Sequence, residues 1–123
     1  MLIGLDYDGT FTEDPSAWLS VVRLLKAHGH EVVVVTMRYP SEAHNQIDAR
    51  LLLLCEVVCT SRQAKEPSML AQFGRVPNVW IDDHPAAVHL SAAELWGVST
   101  PEGNIVTTNA LSTTSLLPVT YTS

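Results

Sequence analysis

The 123-residue chain predicts an α/β fold with a mainly parallel sheet. Two observations carry this. Short apolar, β-branched runs alternate with longer segments of helical period, and each apolar run ends in polar or charged residues. Leu2 to Asp6 is the first run, closing on charge. Pro15 to His28 follows as a helix, with Trp18, Val21, Val22, Leu24 and Leu25 at helical spacing; Asp14 is its N-cap, Pro15 its first residue and Gly29 its stop. Glu31 to Thr36 carries four consecutive valines, as a strand buried on both faces does. Ser41 to Leu54 reads as a second helix capped by Ser41, and Cys55 to Thr60 as the third strand. Pro67 to Phe73 is a short helix ending at Gly74, Asn78 to Asp82 is the fourth strand, and Pro85 opens a helical stretch to about His89. This βαβαβαβ order implies parallel strands joined by right-handed crossovers, with helices on both faces. From Ser99 the composition turns to Ser and Thr, with Glu102 the single charge. Residues 1–98 are therefore read as the core and 99–123 as an extension, either a loosely packed tail or an edge strand around Ile105 and Val106.

With 46% hydrophobic and 16% charged residues, the chain is expected to be globular. No apolar run approaches the roughly 20 residues of a membrane-spanning helix. The N-terminus lacks the pattern of a secretory signal, so a cytoplasmic protein without membrane contact is expected. A net charge of −6 disfavours a broad nucleic-acid-binding surface, yet is compatible with one local phosphate pocket. Cys55 and Cys59 face the same way on a strand but lie too far apart to bridge. With no second Cys/His pair at zinc spacing, they read as small buried hydrophobes. Trp18, Trp80 and Trp96 are expected to fill the core or cover its edges, and His28, His30, His44 and His89 to be structural.

Ligands of parallel sheets bind beyond the carboxyl ends of the strands. Asp6, Asp8, Thr36, Arg38, Thr60, Asp82 and Asp83 all fall at such ends, which points to one shared site. In Leu5-Asp6-Tyr7-Asp8-Gly9-Thr10, two carboxylates one residue apart project to the same side of an extended backbone, and Gly9 permits a sharp turn. One carboxylate is suited to attack phosphorus and the other to carry the proton. An anionic nucleophile approaching an anionic phosphate needs a cation, and clustered carboxylates suit Mg²⁺. Asp82 and Asp83 are the additional ligands. Lys65, in the loop before the short helix, supplies positive charge, and Thr36 a hydroxyl. Gly9, Thr10, Arg38 and Arg62 are the candidate substrate-binding residues, the guanidinium forks suiting phosphate unless they pair with surface acids instead. His84 adjoins the acidic pair.

Leu2 to Thr10 resembles the first motif of the haloacid dehalogenase (HAD) superfamily, a hydrophobic strand ending in Asp-x-Asp-Gly-Thr. Val32 to Thr36 resembles its second motif, Lys65 its third-motif lysine, and Trp80-Ile81-Asp82-Asp83 its fourth, so that residues 2–85 carry all four in order. The resemblance implies a Rossmann-like three-layer α/β/α sandwich. Asp6 would be nucleophile and metal ligand, and Asp8 the general acid/base, with its backbone carbonyl on the metal. Thr36 and Lys65 would hold the phosphoryl group, and Asp82 would bind Mg²⁺ with Asp83 assisting. Thr36-Met37-Arg38, Thr60-Ser61-Arg62 and Asp82-Asp83-His84-Pro85 resemble small, often phage-encoded members. Phe11 to Asp14 and Arg38 to Lys65 leave no room for a cap domain, so a cap-less protein is expected. Its open site would suit a nucleic-acid end or phosphoprotein, or would be covered by a second subunit. The implied function is Mg²⁺-dependent phosphomonoester hydrolysis through an aspartyl-phosphate, acting on a nucleotide or a nucleic-acid terminal phosphate. The alternatives are a general small-metabolite phosphatase and a non-catalytic module of the same fold. A phospho-receiver is disfavoured because Lys65 precedes the acidic pair and the middle run ends in Cys59-Thr60. A dinucleotide-binding domain is disfavoured because no Gly-x-Gly-x-x-Gly follows the first run.

Overall fold

The computed structural model describes residues 1–43 and 46–97; the Ser/Thr-rich extension, with its expected strand around Ile105 and Val106, and the reading of His44 lie outside them. Strands β1 (Leu2–Leu5), β2 (Glu31–Thr36), β3 (Glu56–Cys59) and β4 (Val79–Ile81) form one parallel sheet in the order β3-β2-β1-β4. Leu5 pairs with Val34 on one side and Ile81 on the other, and Thr36 pairs with Cys59, so the carboxyl ends of the strands lie together.

The alternation of side chains along each strand sorts the core into two faces. Ile3, Leu5, Val32 and Val34 pack with Leu19 and Val22 of α1 (Pro15–Ala27) and with Ile47 and Leu51. Leu2, Val33, Val35 and Val58 pack with Met69 of α4 (Lys65–Phe73). Both faces of the four-valine strand are buried, as its composition requires. Gly4 serves this packing: a Cβ there would meet Pro77 Cγ and the Trp80 ring at 2.9 Å, so the bare backbone is what admits the indole from the neighbouring strand.

Asp14 caps α1 as expected, its side chain accepting from Ala17 N at 3.2 Å. The expected single helix over Ser41–Leu54 is instead two short ones, α2 (Pro40–Ala43) and α3 (Ala49–Leu52). The break has a tertiary cause. The Tyr7 hydroxyl donates to Gln46 O at 3.3 Å and accepts from Asp48 N at 2.9 Å, while Asp48 caps α3 through Arg50 N. The helix expected from Pro67 begins at Lys65, and Pro85–Val88 is a 3-10 turn. A further helix, α5 (Ala92–Trp96), follows a capping box of Ser91 and Glu94.

Chain order gives the sheet its crevice. The chain steps outward from β1 to β2 to β3, then α4 carries it back to β4 on the far side of β1. The direction of winding reverses at β1, and the loops after β1 and β4 border the opening there. No helix among the described residues is long and apolar enough to cross a membrane.

Candidate active site

Asp6 follows β1 directly and is held there by its own N–H, which donates to Ile81 O at 2.9 Å. It is only 7% exposed. Lys65, in the first turn of α4 and 2% exposed, comes from the helix that packs on the Leu2, Val33 and Val35 face. Its Nζ donates to Asp6 Oδ1 at 2.7 Å and to Asp82 Oδ2 at 2.6 Å. Lys65 is thus a buried helix residue rather than the loop lysine expected from the sequence. The Thr10 hydroxyl lies 3.0 Å from Asp6 Oδ2 and 3.1 Å from Asp83 Oδ1, and accepts from Asp83 N. It has one proton to give, so it serves one of those carboxylates at a time.

Gly9 makes this approach feasible. It sits at φ +87°, and a Cβ there would lie 2.5 Å from Asp83 Oδ2. Asp82, in turn, accepts from His84 N at 2.9 Å. One oxygen each from Asp6, Asp82 and Asp83 lie within 4.8 Å of one another.

Three carboxylates against the single Lys65 ammonium leave two negative charges in excess. The chain answers by raising the Asp6 pKa from 3.8 to about 7; burial is the largest cause, the hydrogen bond with Asp83 and the charge of Asp82 add to it, and Lys65 opposes. Asp83 moves the other way, held below the usual carboxylate range first by its hydrogen bond with Asp6 and then by Thr10. Near neutrality Asp6 therefore retains much of its proton while Asp83 stays ionised. A hard divalent cation carries the charge that would replace it, and an all-oxygen donor set is what Mg²⁺ takes, so these residues fit that ion. Asp8 is not among the three clustered carboxylates.

Asp8 is instead clamped by Arg38, whose Nε and guanidinium nitrogen lie 2.8 and 2.7 Å from its two carboxylate oxygens. That fork keeps the Asp8 pKa below its ordinary value, although its side chain is 53% exposed. The remaining Arg38 nitrogen donates to Gln46 Oε1 at 2.8 Å, and the guanidinium lies 5.3 Å from the Tyr7 ring centroid. Arg62 donates to Met37 O at 2.7 Å and to Glu42 Oε2 at 2.9 Å, and lies over Tyr39. Both arginines are thus engaged with acids, Arg38 with Asp8 of the same pocket and Arg62 with Glu42. Ser61 and Arg62 hold positive φ angles of 53° and 68°, kept there by hydrogen bonds from their N–H groups to Arg38 O and Met37 O. Thr36, 1% exposed, accepts from Arg38 N at 3.3 Å, and Thr60 ties its own loop through Gln63 O.

One pocket of about 560 Å³ collects Asp6, Asp8, Thr36, Arg38, Arg62, Lys65, Asp82 and Asp83. Gly9 and Thr10 support it from the turn. Sequence reasoning missed Trp96 as a site residue, expecting it to fill the core or cover its edges: this residue lines the pocket and is 60% exposed. The Ser91/Glu94 capping signal would have located its helix. The cysteines are free, Cys55 buried and Cys59 half-buried. Comparison with protein-family models, curated proteins and solved structures yields no match.

Proposed function

We propose that the chain is a Mg²⁺-dependent phosphomonoester hydrolase of haloacid dehalogenase type, acting through an aspartyl-phosphate on Asp6. The observation that carries this reading is the buried Asp6–Lys65–Asp82 triad at the reversal of the sheet, opening into the pocket that holds Thr36 and both arginines. Lys65 fixes one Asp6 oxygen and Thr10 approaches the other, so the carboxylate is oriented before substrate arrives. Asp6, Asp82 and Asp83, with the Asp8 backbone carbonyl, would hold Mg²⁺, which would supply the positive charge that offsets repulsion between carboxylate and phosphate.

In attack, an Asp6 oxygen bonds to phosphorus as the ester oxygen leaves with a proton from Asp8. Lys65 and the Thr36 hydroxyl steady the transferring oxygens. Asp8 then takes a proton from the water that hydrolyses the aspartyl-phosphate, and the ionised state that Arg38 favours suits this second role. For Asp8 to serve as the acid first, the guanidinium must let go; a phosphoryl dianion is the competing partner that draws it away. Between β1 and α1 only the 3-10 turn Phe11–Glu13 intervenes, which supports a cap-less reading.

Hydrolysis of an aryl phosphate with and without Mg²⁺ tests the proposal. Metal-dependent turnover that Asp6→Asn abolishes, in a protein that stays folded, is expected. Turnover that survives Asp6→Asn or chelation contradicts it, and no turnover of nucleotides, phosphorylated oligonucleotides, sugar phosphates or phosphopeptides would favour a binding module.

A further inference from the structure

The pocket has an aromatic wall that the phosphate chemistry does not use. His84, next to Asp83, and Trp96, the last residue of α5, stack with ring centroids 5.6 Å apart and planes 19° from parallel. Both line the same pocket as Asp6 and Lys65. Trp96 is nevertheless 60% exposed, so its large apolar surface contributes little to the core.

The pair is held in place at both ends. His84 N–H is tied to Asp82 Oδ1, and Ala92 N–H, at the start of α5, donates to Arg62 O at 2.8 Å. The capping box and Gly97, in a left-handed conformation after Trp96, define the length of α5. The aromatic wall is thereby linked to the acidic cluster through His84 and to the arginine loop through α5. A tryptophan stacked on a neighbouring ring and 60% exposed is a platform for a further flat ring. A nucleobase stacks on such a surface whatever its identity. The pocket volume of about 560 Å³ lies in the range of small-ligand sites. The net charge of −6 opposes a long nucleic-acid track, leaving one terminal nucleotide as the unit recognised.

Building on the phosphatase reading, we propose that Trp96, backed by His84, is a stacking platform for the nucleobase of a phosphorylated nucleotide, free or at a nucleic-acid end. The test compares adenosine 5′-monophosphate with glycerol 2-phosphate, which has no ring, by calorimetric binding with Mg²⁺ and by phosphate release. Wild-type protein is expected to prefer the nucleotide by about tenfold or more in affinity, within what one base–aromatic stack provides. Trp96→Ala erases that preference, and Trp96→Phe retains most of it; far-UV circular dichroism checks that both variants fold. A single-stranded oligonucleotide with a terminal phosphate separates the two sources. Binding tighter than the mononucleotide, and weakened by Trp96→Ala, assigns the nucleic-acid end; equal or weaker binding assigns the free nucleotide. A wild type without ring preference, or a preference that Trp96→Ala leaves intact, overturns the platform. If both phosphates are then still hydrolysed, the phosphatase reading stands without it. A Trp96-dependent ring preference with no hydrolysis of either phosphate supports the platform and overturns the phosphatase.

Discussion

Replacing Asp6 by Asn is expected to stabilise the metal-free protein at alkaline pH, an unusual result for a buried residue with two polar partners. The folded state raises the Asp6 pKa from 3.8 to about 7. Below about pH 4 the carboxyl is protonated in folded and unfolded chains alike, so it imposes no cost. Between pH 4 and 7 the unfolded chain releases that proton while the folded chain keeps it, and stability falls as pH rises. At about 1.4 kcal/mol for each pH unit, the loss reaches roughly 4 kcal/mol by pH 8. Asparagine mimics the protonated acid: it still accepts from Lys65 and offers a donor toward Asp83. Urea denaturation with chelator, at pH 4 and pH 8, reads the effect. The variant should match wild type at pH 4 and exceed it by about 2–4 kcal/mol at pH 8. Carboxylates such as Asp83, whose pKa is depressed, lose their contribution only at lower pH, outside this window. Adding Mg²⁺ at pH 8 should stabilise wild type more than the variant, since it binds the folded state and takes over the role of the proton. Parallel stability curves for the two proteins from pH 4 to 8, or a variant weaker at pH 8, would refute this account of the site's charge balance.

Lys65→Met leaves two buried carboxylates without their shared cation, a change that costs about 3–5 kcal/mol. A fall in Tm of more than about 12 °C is expected in thermal melts, partly recovered when Asp6→Asn is added; an unchanged Tm would mean the triad carries no such burden. Gly9→Ala places a methyl group 2.5 Å from Asp83 Oδ2 at a backbone φ of +87°. It should destabilise the fold by about 1–3 kcal/mol and weaken Mg²⁺ binding measured by calorimetry; intact metal affinity would remove Gly9 from the architecture of the acidic cluster.

The strands were the most legible part of the chain. Four apolar runs, each closing on polar residues, correspond to β1 to β4, and the run is most continuous in the central strands β1 and β2, which are buried on both faces. The alignment of their carboxyl ends follows from the topology, which is why Asp6, Thr36 and Asp82 come together as their positions in the sequence suggest. Features set by distant partners were not legible. The Ser41–Leu54 helix breaks where the Tyr7 hydroxyl captures backbone groups around residue 47, a contact invisible to helical periodicity. The burial of Lys65 depends on two carboxylates from other strands. The Arg38–Asp8 fork joins residues 30 apart in the chain, so the sequence offered phosphate and acid as partners without deciding between them.

Covalent trapping tests the central claim most directly. The protein is mixed with Mg²⁺ and a phosphomonoester labelled in its phosphoryl group, quenched in acid within a single turnover, and mapped by peptide. The account predicts label on the peptide carrying Asp6, released by hydroxylamine as an acyl phosphate is, and absent from Asp6→Asn. Turnover without any bound label, or label on another residue, would contradict it.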